Sequence, residues 1–288
     1  MLKKLFHNIR YLQFNSSFLR HILGLYYKEG RAYRIPIGSL KNIRLQYDST
    51  INYHAMLGLW EPESFQLLSR IVNYYSAKHF PLVICDVGAN IGSYSLWFSM
   101  HTQPTSVIYA FEPAADIVVK LKNNLFLNHA NNVTVIEKAC TDQVGEISFY
   151  LGFHHHSSSI DAEWARGSED KVEEVVVTST TLDHFFYGDD PEPGPTIIKM
   201  DIEGGGTVAL KGCEQVIKKE RPLFLIESHT PDEDRAISDL LLAHNYQAYR
   251  LNTSEWVKQR DTVHPNHDGV WGTMLLCPTD SDIISVIE

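Results

Sequence analysis

Cysteine is scarce in this 288-residue chain, and what there is lies scattered. Cys85, Cys140, Cys213 and Cys277 form no C-x-x-C pair, and each falls in or beside an apolar run. That excludes a disulfide-stapled scaffold or a zinc ribbon and predicts reduced thiols in a core. No apolar run is long enough to span a bilayer, and no charged n-region precedes a signal-type apolar stretch, so a cytoplasmic protein is expected. No internal repeat is visible, and bias is limited to three consecutive histidines, His154 to His156. G-x-G-x-x-G is missing too, and with it the usual seat for a dinucleotide pyrophosphate. Positive charge is in short supply: 25 Lys and Arg stand against 35 Asp and Glu, for a net charge of −10. An acidic body has no basic track for a phosphate backbone, so nucleic acid is not an expected partner.

The cations that do occur are concentrated at one end. Residues 1–34 hold seven of them against Glu29, a local charge of +6, which leaves −16 on the remainder. Leu2, Leu5, Phe6, Ile9, Leu12, Phe18, Ile22 and Leu25 recur beside them at roughly helical spacing. This basic amphipathic extension suits peripheral contact with an anionic membrane, or packing on its own domain or on the second subunit of a homodimer. The chain then divides into a cap segment, 35–80, and a main domain, 81–288. Within the cap, Phe65, Leu68, Val72 and Tyr75 predict a one-faced helix entered at Pro62.

Asp86 to Ser99, DVGANIGSYSLWFS, organises the rest. The apolar run Leu82 to Cys85 predicts a buried parallel strand, and the pattern after Gly92 predicts a helix. Gly88 and Gly92 permit a sharp turn and close approach of a ligand. Asp86 would repel a phosphate but attract an ammonium group. The next strand, Val107 to Phe111, ends at Glu112, where an α/β nucleoside site accepts hydrogen bonds from both ribose hydroxyls. Further strands are expected at Val133 to Ile136, ending near Asp142, at Thr196 to Met200 and at Leu223 to Ile226. Val118, Leu121, Leu125 and Phe126 should line one face of the intervening helix. Glu146 to Leu151 and Val172 to Thr178 should pair with each other. Tyr246 to Leu251 and Val270 to Cys277 should form an antiparallel pair at the sheet edge. Thr230 to Glu233 reads as a capping box. Such alternation predicts an α/β fold, a Rossmann-like doubly wound sheet.

With DVGANIG, AFEP, KMDIEG and ERPLFLIESH in that order, the chain resembles the FkbM family of S-adenosylmethionine-dependent methyltransferases. The resemblance implies a class I methyltransferase sheet with an antiparallel last strand, and methyl transfer to a hydroxyl on a sugar, lipid or natural product. It implies that Asp86, Gly88, Asn90 and Gly92 hold the methionine part of the cofactor and Glu112 its ribose. Asp142 would face the adenine amino group, and Asp201 and Glu203 would stand beside the sulfonium and the acceptor. Glu61 matches an acidic residue ahead of the family's core. The family commonly reads D-x-E-G-x-E, whereas here the last position is Gly206.

Ligands of open α/β sheets bind at the carboxyl ends of the strands, which selects Asp201, Glu203, Glu227 and His229. His229 is the expected general base because an imidazole titrates near neutrality. The other reading makes it a hydrogen-bonding partner beside a helix cap. A metal-free site is expected, with Asp201, Glu203 and His229 as the trio for a divalent ion otherwise. The histidine run with Ser157 to Ser159 reads as a solvated loop, or second as a lid over the acceptor. His264 and His267 lack the companions of a zinc site. Tyr74 and Lys78 have the Y-x-x-x-K spacing of a nicotinamide-dependent oxidoreductase but precede the first core strand. A non-catalytic cofactor-binding or membrane-tethered protein is the remaining alternative.

Overall fold

The computed structural model describes residues 23–49, 53–152, 158–166, 172–229, 231–251, 255–256 and 272–287. The histidine run, Thr230, His264, His267 and most of the basic extension lie outside these residues. The chain forms two compact units, Met1–Pro62 and Glu63–Glu288. In the first, β1 (Ala32–Arg34) and β2 (Arg44–Gln46) pair antiparallel, and α1 (Tyr53–Met56) follows. The hairpin alternates at period two: Leu45 is buried between the outward Arg44 and the half-buried Gln46.

The second unit opens with α2 (Pro62–Ala77), which belongs to it from Glu63 onward, although the sequence reading put this helix in the cap segment. Phe65, Leu68, Ile71 and Val72 form its buried stripe. Phe65 stacks on Tyr94 at 4.5 Å between ring centroids, which fixes α2 against α3 (Ser93–His101). Between them runs β3 (Val83–Val87), followed past α3 by β4 (Val107–Phe111), α4 (Ala115–Leu127) and β5 (Val133–Ile136). Val118, Leu121 and Leu125 bury one face of α4 as expected, but Phe126 is 76% exposed. It lies a further 100° around the helix from Leu125, beyond the apolar stripe.

After β5 the chain leaves the main sheet. β6 (Ala139–Cys140), β7 (Gly145–Leu151) and β8 (Glu173–Thr180) make a three-stranded sheet ordered β6-β8-β7. β7 and β8 pair antiparallel from Gly145–Ser179 to Leu151–Glu173, as expected. The connection between them carries α5 (Ala162–Arg166). α6 (Leu182–Tyr187) then returns the chain to β9 (Ile197–Met200), α7 (Gly206–Lys211), α8 (Glu214–Glu220) and β10 (Leu223–Glu227). The unit finishes with α9 (Pro231–His244), β11 (Tyr246–Arg250), β12 (Glu255–Trp256), β13 (Thr273–Pro278) and α10 (Ile284–Ile287).

The main sheet has the order β12-β11-β13-β10-β9-β3-β4-β5. β10, β9, β3, β4 and β5 are parallel neighbours, and β13 is inserted antiparallel between β10 and β11. Flanked on both sides, β3 and β9 are buried on both faces, hence their near-continuous apolar sequence. The strand order reverses between β3 and β9, so the topological switch point, where such sheets bind ligands, lies beyond Val87 and Met200. All four cysteines are free and buried. Among the described residues no helix is long and apolar enough to cross a membrane.

Candidate active site

The loop from β3 to α3 turns through three left-handed residues, Gly88 (φ 76°), Asn90 (φ 49°) and Gly92 (φ 91°). Gly88 is obligatory for a second reason: a Cβ there would stand 2.1 Å from the Asp201 carbonyl oxygen. The β3 and β9 loops therefore touch backbone to backbone at the switch point. The loop amides are spent internally. Gly88 and Ala89 donate to the Phe111 carbonyl at 3.1 and 2.9 Å, and Asn90 donates to Glu112 Oε2 at 2.9 Å. A loop that seats a pyrophosphate leaves its amides for the anion; this one uses them to hold the end of β4.

Glu112 is consequently fixed in place. Its Oε1 accepts the Ala114 N–H at 3.0 Å, and the side chain is almost fully buried. Burial outweighs both hydrogen bonds and pushes its carboxyl up to about 7.

Asp86 sits differently from the expected rim position. It lies within β3, has no exposed surface, and accepts the Ser95 hydroxyl at 2.6 Å. Directly across the parallel ladder from it stands Lys199 of β9, whose Nζ is 3.7 Å from Asp86 Oδ1. The ammonium also donates to the Gly88 carbonyl at 3.3 Å and lies 3.5 Å from Asp201 Oδ2 and 4.8 Å from the Tyr94 ring centroid. Burial raises the Asp86 carboxyl, and Lys199 and Ser95 act in the opposite direction. Thus the carboxylate that reaches the crevice beside the glycine loop is Asp201, while Asp86 anchors the lysine beneath it.

The ends of β9 and β10 bring the remaining candidates together. His229 Nε2 is 3.5 Å from Asp201 Oδ1 and 3.5 Å from Glu203 Oε2. Asp201, Glu227 and His229 each bring a ligand-type atom within 4.8 Å of the others, rather than the expected trio with Glu203. Glu203 accepts the indole N–H of Trp164 at 2.9 Å, and the Trp164 and His229 rings meet edge to face at 5.6 Å. Burial pushes the Glu203 carboxyl up to about 7, with His229 and the Trp164 hydrogen bond pulling the other way and Asp201 adding to the rise. Replacing Trp164 with phenylalanine should move that titration upward by about half to one pH unit, the size of one neutral-donor hydrogen bond. Carboxyl carbon-13 NMR across the titration measures it; an unmoved Glu203 would mean that the indole does not hold the carboxylate.

Trp164 was not legible in the sequence as a site residue. It reaches the site because Asp161 caps α5, accepting from Glu163 and Trp164 amides at 2.8 and 3.1 Å. The chain just before it is clipped to β7 by the Tyr150–Ser159 bridge, and the Ser159 hydroxyl donates to the Glu203 carbonyl. A D-x-x-W pattern with the aspartate as N-cap was the available signal. Lys199 was legible only as a charge inside a strand. Asp142 is exposed and follows β6; the third core strand ends earlier, at Ile136. Glu61 belongs to the first compact unit, with a backbone φ of 35°. Tyr74 and Lys78 are engaged with Asp282 at 2.9 and 3.2 Å, on the exposed side of α2.

A sheet of six parallel strands with an antiparallel one, β13, slotted between the last two, β10 and β11, and with a carboxylate-lined crevice at the switch point, is a class I methyltransferase fold. The family profile described as the Methyltransferase FkbM domain matches residues 86–250, and the chain belongs to that family of methyltransferases. Among solved structures, the FkbM methyltransferase of Methylobacillus flagellatus KT is 18% identical, with 79% of this chain and 52% of that one covered at a TM-score of 0.44. This chain therefore spans about half the length of that protein. A precorrin-6y C5,15-methyltransferase from Geobacter metallireducens GS-15 is 15% identical over 75% of this chain and 87% of its own, TM-score 0.41. An rRNA methylase from Streptococcus thermophilus is 12% identical over 75% and 92%, also at 0.41. No curated protein matches the sequence.

Proposed function

We propose that this protein transfers a methyl group from S-adenosylmethionine to a hydroxyl of a small-molecule or glycan acceptor, such as a sugar, glycolipid or natural product, in the cytoplasm. The observation that carries the reading is the convergence of Asp201, Glu203 and His229 within 3.5 Å contacts beside the Gly88 loop. The residues fit the cofactor chemically. Glu112 presents a carboxylate at the ribose position, and Asp201, only partly covered at 27% exposure, offers negative charge to an ammonium or sulfonium. Carboxylates dominate the crevice, and a field of that sign favours a cationic donor.

When bound, the cofactor supplies an electrophilic methyl carbon on sulfur. The chain's own part is positional and proton-handling. Trp164 covers one side of His229 and Glu203. His229 Nε2 would take the hydroxyl proton of the acceptor when the methyl group is transferred. Asp201 and Glu203 stabilise the imidazolium that results. Positioning supplies much of the rate in such a displacement.

The test is calorimetric titration of S-adenosylmethionine. Glu112→Ala should weaken binding by about 1.5–3 kcal/mol for a hydrogen bond to a charged acceptor, roughly 10- to 100-fold. The ribose needs the ionised carboxylate, and in the empty protein Glu112 titrates near 7. Wild-type affinity should therefore rise about tenfold from pH 6 to pH 8, with proton release on binding. The sign is opposite for stability: a raised carboxyl binds its proton more tightly folded than unfolded, so the empty protein loses this contribution as pH rises from about 4.5 to about 7. A pH-independent affinity together with wild-type binding by Glu112→Ala would remove the ribose assignment.

A further inference from the structure

Glu233 is 2% exposed and stands on the first turn of α9, where a capping role alone was expected. Its carboxylate does more than cap. Oε1 accepts the Gly206 N–H at 2.8 Å, at the start of α7. Oε2 accepts the His229 N–H at 2.5 Å and lies 3.7 Å from His229 Nδ1. One buried carboxylate thus ties the loop after β9, which carries Asp201 and Glu203, to the loop after β10, which carries His229.

Gly206 and Glu233 compete for one volume. A Cβ built on Gly206 would lie 2.8 Å from Glu233 Oε1 and 3.3 Å from its Cδ. A side chain at 206 would therefore require the Glu233 carboxylate to shift from its present place. The acid that the resemblance would place at 206 is matched by one arriving from α9, whose carboxylate lies where a side chain at 206 would begin. His229 is flanked accordingly. On its Nε2 side stand Asp201 and Glu203, across the ring Trp164, and behind Nδ1, which is buried without a hydrogen-bond partner among the described residues, Glu233.

We propose that Glu233 is a positioning residue that substitutes for a carboxylate at position 206 and holds the His229 imidazole with its Nδ1–H toward Oε2. That tautomer leaves the Nε2 lone pair facing Asp201 and Glu203, where an acceptor hydroxyl would be deprotonated. The carboxylate does not touch the reacting atoms. It acts by selecting which nitrogen is the base and by fixing the ring between the two loops, as the orienting acid does in a catalytic triad. The inference rests on the proposed role of His229 for its kinetic consequence, but the tautomer and the shared volume are properties of the protein alone.

The experiment uses the full chain and four variants: Glu233→Ala, Glu233→Gln, Gly206→Glu, and the exchange Gly206→Glu with Glu233→Ala. Long-range proton–nitrogen NMR of the imidazole should place the proton on Nδ1 in the wild type, and shift it toward Nε2 in Glu233→Ala and Glu233→Gln. Gly206→Glu alone should be destabilised in denaturant unfolding, and the exchange variant should recover both stability and the Nδ1 tautomer. In a methyl-transfer assay Glu233→Gln should lose kcat on the order of 10²-fold, the lower end of what general-base catalysis supplies, with KM for S-adenosylmethionine unchanged. An unchanged tautomer in both Glu233 variants, or an exchange variant no better than Glu233→Ala, would overturn the proposal. Should Glu233→Ala fail to fold, Glu233→Gln decides the tautomer. The NMR arm needs no acceptor, so a protein that transfers no methyl group defeats the functional reading and leaves this one to its own measurement.

Discussion

Lys199→Met is expected to lower the unfolding free energy by about 3–5 kcal/mol, the cost of stripping the partner from a buried ion pair. Lys199 and Asp86 are register partners on adjacent parallel strands, with side-chain exposures of 6% and 0%. Asp86 keeps one short hydrogen bond, from Ser95, but among the described residues its Oδ1 has no hydrogen-bond partner and depends on the ammonium for compensation. Without Lys199 the Asp86 carboxyl, already raised by burial, must rise further and take up a proton on folding. The variant should therefore gain stability on acidification toward that titration and lose it as pH rises, because the folded state binds more protons than the unfolded one. Asp86→Asn combined with Lys199→Met removes the charge along with its partner and should recover most of the loss. Denaturant unfolding of both variants between pH 5 and pH 8, read by tryptophan fluorescence, checks this. A Lys199→Met protein as stable as the wild type at pH 8 would mean that the ammonium does not compensate Asp86.

That pair also marks where sequence reading stopped. The strand–glycine turn–helix of Asp86 to Ser99 was legible because all its determinants are local: an apolar run, two glycines and a helical pattern within about twenty residues. Glu112 was legible for the same reason, as the acid that closes a short β-branched strand. The partnership of Asp86 with Lys199 depends on the register of β3 against β9, strands more than a hundred residues apart, and nothing local encodes it. Asp86 consequently read as a ligand-facing carboxylate when the fold turns it inward. Trp164 and Glu233 were obscured similarly. Each occupies an ordinary capping segment, and its role comes from what the fold lays beside it. The third strand was expected at Val133 to Ile136, where it lies, but its end was placed near Asp142. The break at Glu137 and Lys138 transfers the chain to a second sheet, and two charged residues are a weak signal for such a transfer.

His229→Ala should reduce kcat by about 10²- to 10⁴-fold while leaving S-adenosylmethionine affinity near that of the wild type. The split follows from geometry. The groups assigned to the cofactor sit on β3, β4 and the tip of β9, and the Gly88 loop is held by the end of β4 independently of His229. His229 is on β10's far loop, and its Nε2 is directed at Asp201 and Glu203 instead. Losing the imidazole also removes a positive influence from Glu203, whose carboxyl lies near 7 in part because His229 opposes burial. In the variant Glu203 should stay protonated to higher pH, so any residual rate carried by that carboxylate should emerge only at alkaline pH. Single-turnover methyl transfer across pH 6 to 9, with cofactor affinity measured alongside, separates the contributions. A variant that binds the donor normally and turns over at the wild-type rate would reduce His229 to a partner of the α9 cap and move the base to Asp201 or Glu203.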